Sequence, residues 1–198
     1  MPSFITFTEK MDIFNLVSSR RSVKPELFEG VTIGDSALIK LLEVANWAPT
    51  HALTEPWRFK IFKEKGLAEL GLFEAEYYRK TTPPEKFMIE QYKKNQERPL
   101  QCAAVLAICM HRVREGKIIP EWEEIASVAC AVQNIWLACT AEGWAAYWGS
   151  GGSSGSEELK EWLGLAEADR QMGFFYIGKY SGSLADGKRK TDILAKLL

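Results

Sequence analysis

Histidine is scarce in this chain: only His51 and His111 occur in 198 residues, far apart in sequence. A zinc site would then need an unusual ligand set, and a histidine-based triad finds no support. No Gly-x-Ser-x-Gly segment occurs, and no cysteine stands beside a histidine in a recognisable pattern. The four cysteines (Cys102, Cys109, Cys130 and Cys139) are scattered singly with no Cys-x-x-Cys pair, so buried reduced thiols are expected, not a disulfide framework. Charge of one sign is missing too. With 25 Lys+Arg against 26 Asp+Glu the net charge is −1, which offers no field for attracting nucleic acid. No continuous apolar stretch approaches the ~20 residues of a membrane span. Met1 to Lys10 lacks a charged start followed by an apolar core and a small-residue cleavage site, so no secretion signal is expected and the cytoplasm is the expected location. The Gly149-Ser150-Gly151-Gly152 segment does not fit a dinucleotide fingerprint within a βαβ unit.

What is present describes a globular chain, 46% hydrophobic and 26% charged. Its length suits one well-buried domain over residues 1–198, with 1–10 a flexible lead-in and 188–198 a C-terminal tail. Thr32-Ile33-Gly34-Asp35 looks like a helix start, with Thr32 or Asp35 as the cap. Leu38, Leu41, Leu42 and Ala45 then recur at helical spacing until Pro49 closes the run. From Trp57 alternation takes over, with Trp57, Phe59 and Ile61 on one side, giving a strand ended by Lys65-Gly66. Two mixed helices follow, roughly Leu67 to Lys80 and Pro84 to Glu97. They are either a cover over a pocket or ordinary surface helices with one apolar stripe.

Ala103 to Met110 is continuously apolar, as suits a strand buried on both faces. The longest helical pattern runs from Glu121 to Gly143 and is greasy on most of its circumference, which belongs in the middle of a core or an interface, with Trp136 an anchor. Trp144 to Trp148 reads as a strand and Gly149 to Gly155 as a tight active-site loop. A capped helix over Ser156 to Gly164 and a last strand over Gly173 to Tyr180 complete an α+β sandwich, its sheet mostly antiparallel or mixed and flanked by helices.

Two segments carry chemistry. Arg20-Arg21-Ser22-Val23-Lys24 concentrates three cations and a hydroxyl beyond a short amphipathic run, Met11 to Ser18. That donor set suits a phosphate monoester, at about −1.5 to −2 charge near neutral pH; taken alone, an Arg-Arg-Ser reads first as a solvated helix end. Ala48-Pro49-Thr50-His51-Ala52-Leu53-Thr54-Glu55-Pro56-Trp57 is a Pro-bounded, His-containing loop that leads into a strand. In this order and spacing the two resemble the opening half of the FMN-dependent nitroreductase family. The stretch AVQNIWLACTAEGWAAYWGSGG resembles that family's central helix, glycine turn and flavin-passing strand, and GFFYIGKY its final core strand. The closest likeness is to the small, minimal bacterial members.

The resemblance implies an intertwined homodimer with FMN between the subunits, NADH or NADPH as electron donor, and a nitroaromatic or quinone-like small-molecule acceptor reduced by ping-pong hydride transfer. Chemistry would then reside on the cofactor, with no catalytic side chain and no metal. Carried over, Arg20 and Ser22 would hold the phosphate with Arg21 beside them, and Lys24 would approach the N1/C2=O edge of the ring. His51 and Glu55 match loop positions that touch flavin. Trp148, Gly149 and Ser150 match the strand end where the ring or ribityl chain lies, and Arg189 matches a late basic residue at the phosphate. Ala138 to Gly143 matches a stretch linked with the nicotinamide nucleotide. Glu55 departs from the family's Gln, so it is either compensated by Lys24 or turned to solvent, and Gly149 stands where an Arg is common. The alternatives are a same-fold flavin dehydrogenase, dehalogenase or flavin-destroying enzyme, a flavin-binding protein with little turnover, and a helical dimerisation module with no cofactor.

Overall fold

The computed structural model describes residues 12–112 and 118–197; the lead-in assigned to 1–10 lies outside the described residues. Four strands, β1 (Trp57–Phe62), β2 (Ala104–Met110), β3 (Ala145–Gly149) and β4 (Arg170–Gly178), form one sheet in the order β1-β2-β4-β3. Every pairing is antiparallel, with Trp57 opposite Met110, Ala104 opposite Ile177 and Trp148 opposite Phe175. Strand β2 is buried along its whole length, as its unbroken apolar sequence requires.

The alternation of side chains splits the core into two layers. Leu106, Ile108, Phe175 and Ile177 face one cluster with Leu38 and Leu41 of α2 (Asp35–Glu43) and Val128, Val132, Ile135 and Cys139 of α5 (Glu121–Ala141). Val105, Ala107, Phe174 and Tyr176 face the other, with Leu67 and Leu70 of α3 (Lys65–Thr81) and Leu159 and Leu163 of α6 (Glu157–Leu163). By length and composition α5 is apolar enough to cross a membrane, although no continuous apolar run announces it. Its apolar residues instead build the first of these layers.

Several boundaries move. The N-cap of α2 is Gly34 with no side-chain cap, so neither Thr32 nor Asp35 caps it; Asp35 is the first helical residue and pairs with Lys63. Lys65-Gly66 opens α3 instead of ending a strand. Pro84 sits in an isolated 3-10 turn, Pro84–Lys86, ahead of the shorter α4 (Ile89–Glu97). The α6 cap is as expected: Ser156 Oγ accepts from the Leu159 N–H and Gly164 closes the helix in the left-handed conformation. Trp136, expected as an interface anchor, is buried within the chain and packs edge-on against Phe175.

Gly71 sets how closely α3 and α4 approach. A Cβ there would overlap the Gln96 carbonyl, so only glycine lets the end of α4 settle onto α3. That contact carries Asn95 and Arg98 over the open end of the sheet.

Candidate functional site

The first short helix, α1 (Ile13–Ser19), ends at Arg20, and the chain then lies along the outer edge of β3. Ser22 forms a parallel bridge with Ala146, and the Val23 N–H donates to the Ala146 carbonyl at 3.0 Å. Because this pairing is parallel, residues 20–24 advance in the same direction as β3. Four residues of extended chain cover about 13 Å. Arg20 thus lies toward the start of β3, and Lys24 toward its Trp148 end.

At the near end Arg20 lies within the electrostatic reach of two further guanidinium groups, Arg21 and the exposed Arg189. Arg20 Cζ sits 4.3 Å from the centroid of the Trp136 ring. Burial first, then the charges of Arg189 and Arg21, lower the pKa of Arg20 from its ordinary value. Among the described residues none of the three pairs with a carboxylate, and Arg20 Nη1 and Trp136 Nε1 are buried donors without a partner. Cations held together with orphaned donors suit an anion. Arg21 has other duties: its Nε donates to the Ala185 carbonyl at 2.9 Å and its Nη1 to Ser18 and Arg20 carbonyls at 2.6 and 3.0 Å. It ties the tail to the end of α1, and so helps bring Arg189 to Arg20.

At the far end β3 opens into a cavity of about 470 Å³ whose floor is the Trp148–Gly152 segment. Tyr147 and Tyr176 wall it from the sheet, Glu74 and Tyr78 from α3, and Gln91, Asn95 and Arg98 from α4 and the turn after it. Thus α3 and α4 do cover a pocket. Glu26, two residues beyond Lys24, approaches Arg98 and Lys94 at 3.3 Å each, which places the end of the 20–24 segment beside this cavity. Lys24 itself is exposed. Trp148 is fixed by an indole N–H donated to the Met172 carbonyl at 2.9 Å. A Cβ at Gly149 would lie 3.0 Å from Tyr147 and 3.4 Å from Tyr176, so the two tyrosines occupy the room a larger residue would need.

His51 and Glu55 lie elsewhere. His51 Nδ1 is 2.5 Å from Glu123 Oε2 near the start of α5, beside an open groove that also includes Trp122 and Cys130. Glu55 is exposed; its N–H donates to Thr50 Oγ1 at 3.1 Å, and its carbonyl accepts from Arg58 at 2.8 Å. This loop stores backbone strain: Ala52, Leu53 and Glu55 have φ of 53°, 54° and 42°. Within one chain, then, Arg20, Arg21, Ser22 and Arg189 gather at one end of β3. Trp148, Gly149 and Ser150 gather at the other, and His51 and Glu55 join neither.

Five residues that line this cavity, Asn95, Arg98, Glu74, Tyr147 and Tyr176, carry no sequence motif that singles them out. For Glu74 and Asn95 the one signal is their place in the two mixed helices, 67–80 and 84–97, that offered a cover over a pocket; Arg98 falls just beyond them.

Known proteins show the same plan. The model of the nitroreductase family matches residues 17–179, and the chain belongs to that family. It is similar to the "Putative NAD(P)H nitroreductase YdjA" of Escherichia coli, 26% identical over 168 residues that cover 85% of this chain and 88% of that protein. A nitroreductase-like family protein from Bacillus cereus superposes with a TM-score of 0.82 at 28% identity, covering 99% of this chain and 98% of the other. A nitroreductase with bound FMN from Bacteroides fragilis shares the fold at 19% identity and a TM-score of 0.65, over 91% of this chain and 95% of that one.

Proposed function

We propose that the chain is an FMN-dependent NAD(P)H oxidoreductase acting on nitroaromatic or quinone-like acceptors, as a homodimer. The observation that carries this reading is the arrangement along β3: arginines that pair with no carboxylate among the described residues, with orphaned donors, at one end, and a tyrosine-walled cavity floored by Trp148 at the other. A phosphate on a flexible chain leading to a flat polar ring matches both ends. The curated relatives' NAD(P)H nitroreductase names and the FMN held by the Bacteroides fragilis protein support the same assignment.

When bound, FMN would supply the two-electron redox chemistry that links the nicotinamide donor to the acceptor in a ping-pong cycle. The chain's own residues bind and orient. Arg20 and Arg189 would hold the phosphate with Ser22, while Arg21 would hold the tail that carries Arg189. Lys24 and Arg98 bring positive charge to the ring end, where it favours the electron-rich form of a bound ring. Asn95 offers amide donors and an acceptor to a ring edge. Trp148 to Ser150 would form the floor, and His51 and Glu55 would approach from the second subunit.

The test is an absorbance spectrum of the purified protein before and after NADPH, with heat-released cofactor compared against FMN and FAD standards. Bands of oxidised flavin that bleach on reduction, and FMN as the released species, are expected. A protein that stays colourless with added FMN, or that releases FAD, overturns the reading.

A further inference from the structure

The loop that follows β3 is held in place by two polar side chains from elsewhere in the fold, the half-buried Glu74 and the buried Gln171. Ser153 is fully buried, and its hydroxyl donates to Glu74 Oε1 of α3, while its N–H lies 3.4 Å from Glu74 Oε2. Two residues on, the Gly155 N–H donates to Gln171 Oε1 of β4 at 3.1 Å, and the Gln171 amide donates onward to the Gly173 carbonyl at 2.8 Å. Gly152 has φ +69°, and a Cβ there would collide with the Glu74 carboxylate. The loop is therefore shaped around that carboxyl group.

A carboxyl in such a place is costly to bury unless its hydrogen bonds compensate. Desolvation raises the Glu74 pKa, against the pull of the Ser153 hydrogen bonds and the Arg98 charge. An apolar residue would fill the same space on α3 without that cost. What it would lack is a hold on the loop. The residues so held continue directly from Gly149 and Ser150, which floor the cavity.

Resting on the functional reading above, we propose that Glu74, acting through Ser153, is a positioning residue that fixes the Gly149–Gly152 floor on which the flavin ring lies. It acts as a hydrogen-bond acceptor at a set distance from the sheet, and Gln171 is the loop's second anchor.

The experiment uses the full chain in two states. Without ligand, amide hydrogen exchange over residues 150–156 should rise in Glu74→Ala and stay near wild type in Glu74→Gln, whose amide oxygen still accepts from Ser153. With ligand, Glu74→Ala should weaken FMN binding about tenfold, the order set by one or two lost hydrogen bonds, and Glu74→Gln should restore it. Riboflavin, which has no phosphate, should lose affinity by the same factor, because the arginine end is untouched. Should Glu74→Ala not fold, Ser153→Ala removes one hydroxyl only and carries both measurements. A folded variant with wild-type loop exchange and normal FMN affinity overturns the positioning role alone. Failure of the wild-type chain to bind FMN overturns the functional reading, and the ring-positioning role with it.

Discussion

Arg20 lies over the indole of Trp136, with its Cζ 4.3 Å from the ring centroid, and each residue keeps a buried N–H without a partner. The ring packs edge-on against Phe175 in the core, so the guanidinium rests on a platform fixed from beneath. A charge set on such a surface loses little freedom when an anion arrives, which favours tight binding.

Arg20→Ala should therefore weaken FMN by about 2–5 kcal/mol, roughly 30- to several-thousand-fold. Riboflavin affinity should hardly change. Arg21→Ala should cost less, since Arg21 acts through the tail. Titration of the apo variants with both ligands gives the answer; equal losses for FMN and riboflavin would remove Arg20 from the phosphate end.

Lys24 is exposed, but the segment that carries it runs to the cavity end of β3. Lys24→Ala should lower the two-electron midpoint potential by at least about 30 mV, equivalent to about 1.4 kcal/mol, with the ring still bound. Potentiometry on both proteins checks this, and an unchanged midpoint with FMN fully bound means Lys24 does not act on the ring.

Gly71→Ala should open the α3–α4 contact, because the new methyl group overlaps the Gln96 carbonyl and neither helix backbone can yield cheaply. Overpacking of this kind costs about 1–3 kcal/mol. A lower urea midpoint together with weaker FMN retention is expected, because Asn95 and Arg98 move with α4. Loss of stability with flavin affinity intact would separate α4 from the site.

The buried thiols set an alkaline limit. Burial, above all, pushes Cys102, Cys109 and Cys139 up to about 12. In the unfolded chain a thiol ionises near about 8.5. Above that value the unfolded state binds fewer protons than the native state, so stability falls as pH rises toward about 12. The urea midpoint should drop between about pH 8 and about pH 10, and Cys139→Ala should flatten the slope. A midpoint independent of pH in that window would show the thiols ionising alike in both states.

Much of this architecture was legible because its signals are local. The unbroken AVLAICM of β2, the alternation from Trp57 and the Ser156–Gly164 caps each need only neighbours to be understood. Arg20 and Trp148 stand out in the sequence because short segments around them carry a family resemblance. Arg98, Tyr176 and Glu74 belong to elements far apart in sequence, and only the closure of α3 and α4 over the sheet makes them neighbours. Trp136 was misplaced for a similar reason. Its size suits an interface as well as a core, and what decides is Phe175 beneath it and Arg20 above.

The separation of His51 and Glu55 from Arg20 leads to the last prediction. Within one chain the strained 51–55 loop lies beside the start of α5, with Trp122, Leu53 and Trp47 exposed to 68%, 81% and 86%. Large apolar side chains so exposed suit burial by a second copy, which would bring the loop to the other chain's flavin site. The protein should sediment as a dimer at low micromolar concentration, and flavin loss should coincide with dissociation. A mixed dimer of Arg20→Ala and His51→Ala chains makes the arrangement visible. If each site takes Arg20 from one chain and His51 from the other, one site is doubly damaged and the other intact. The mixed species should then bind one FMN per dimer with wild-type affinity, although each variant homodimer binds weakly. If both residues serve the same site from one chain, the mixed dimer has no intact site and binds no better than its parents.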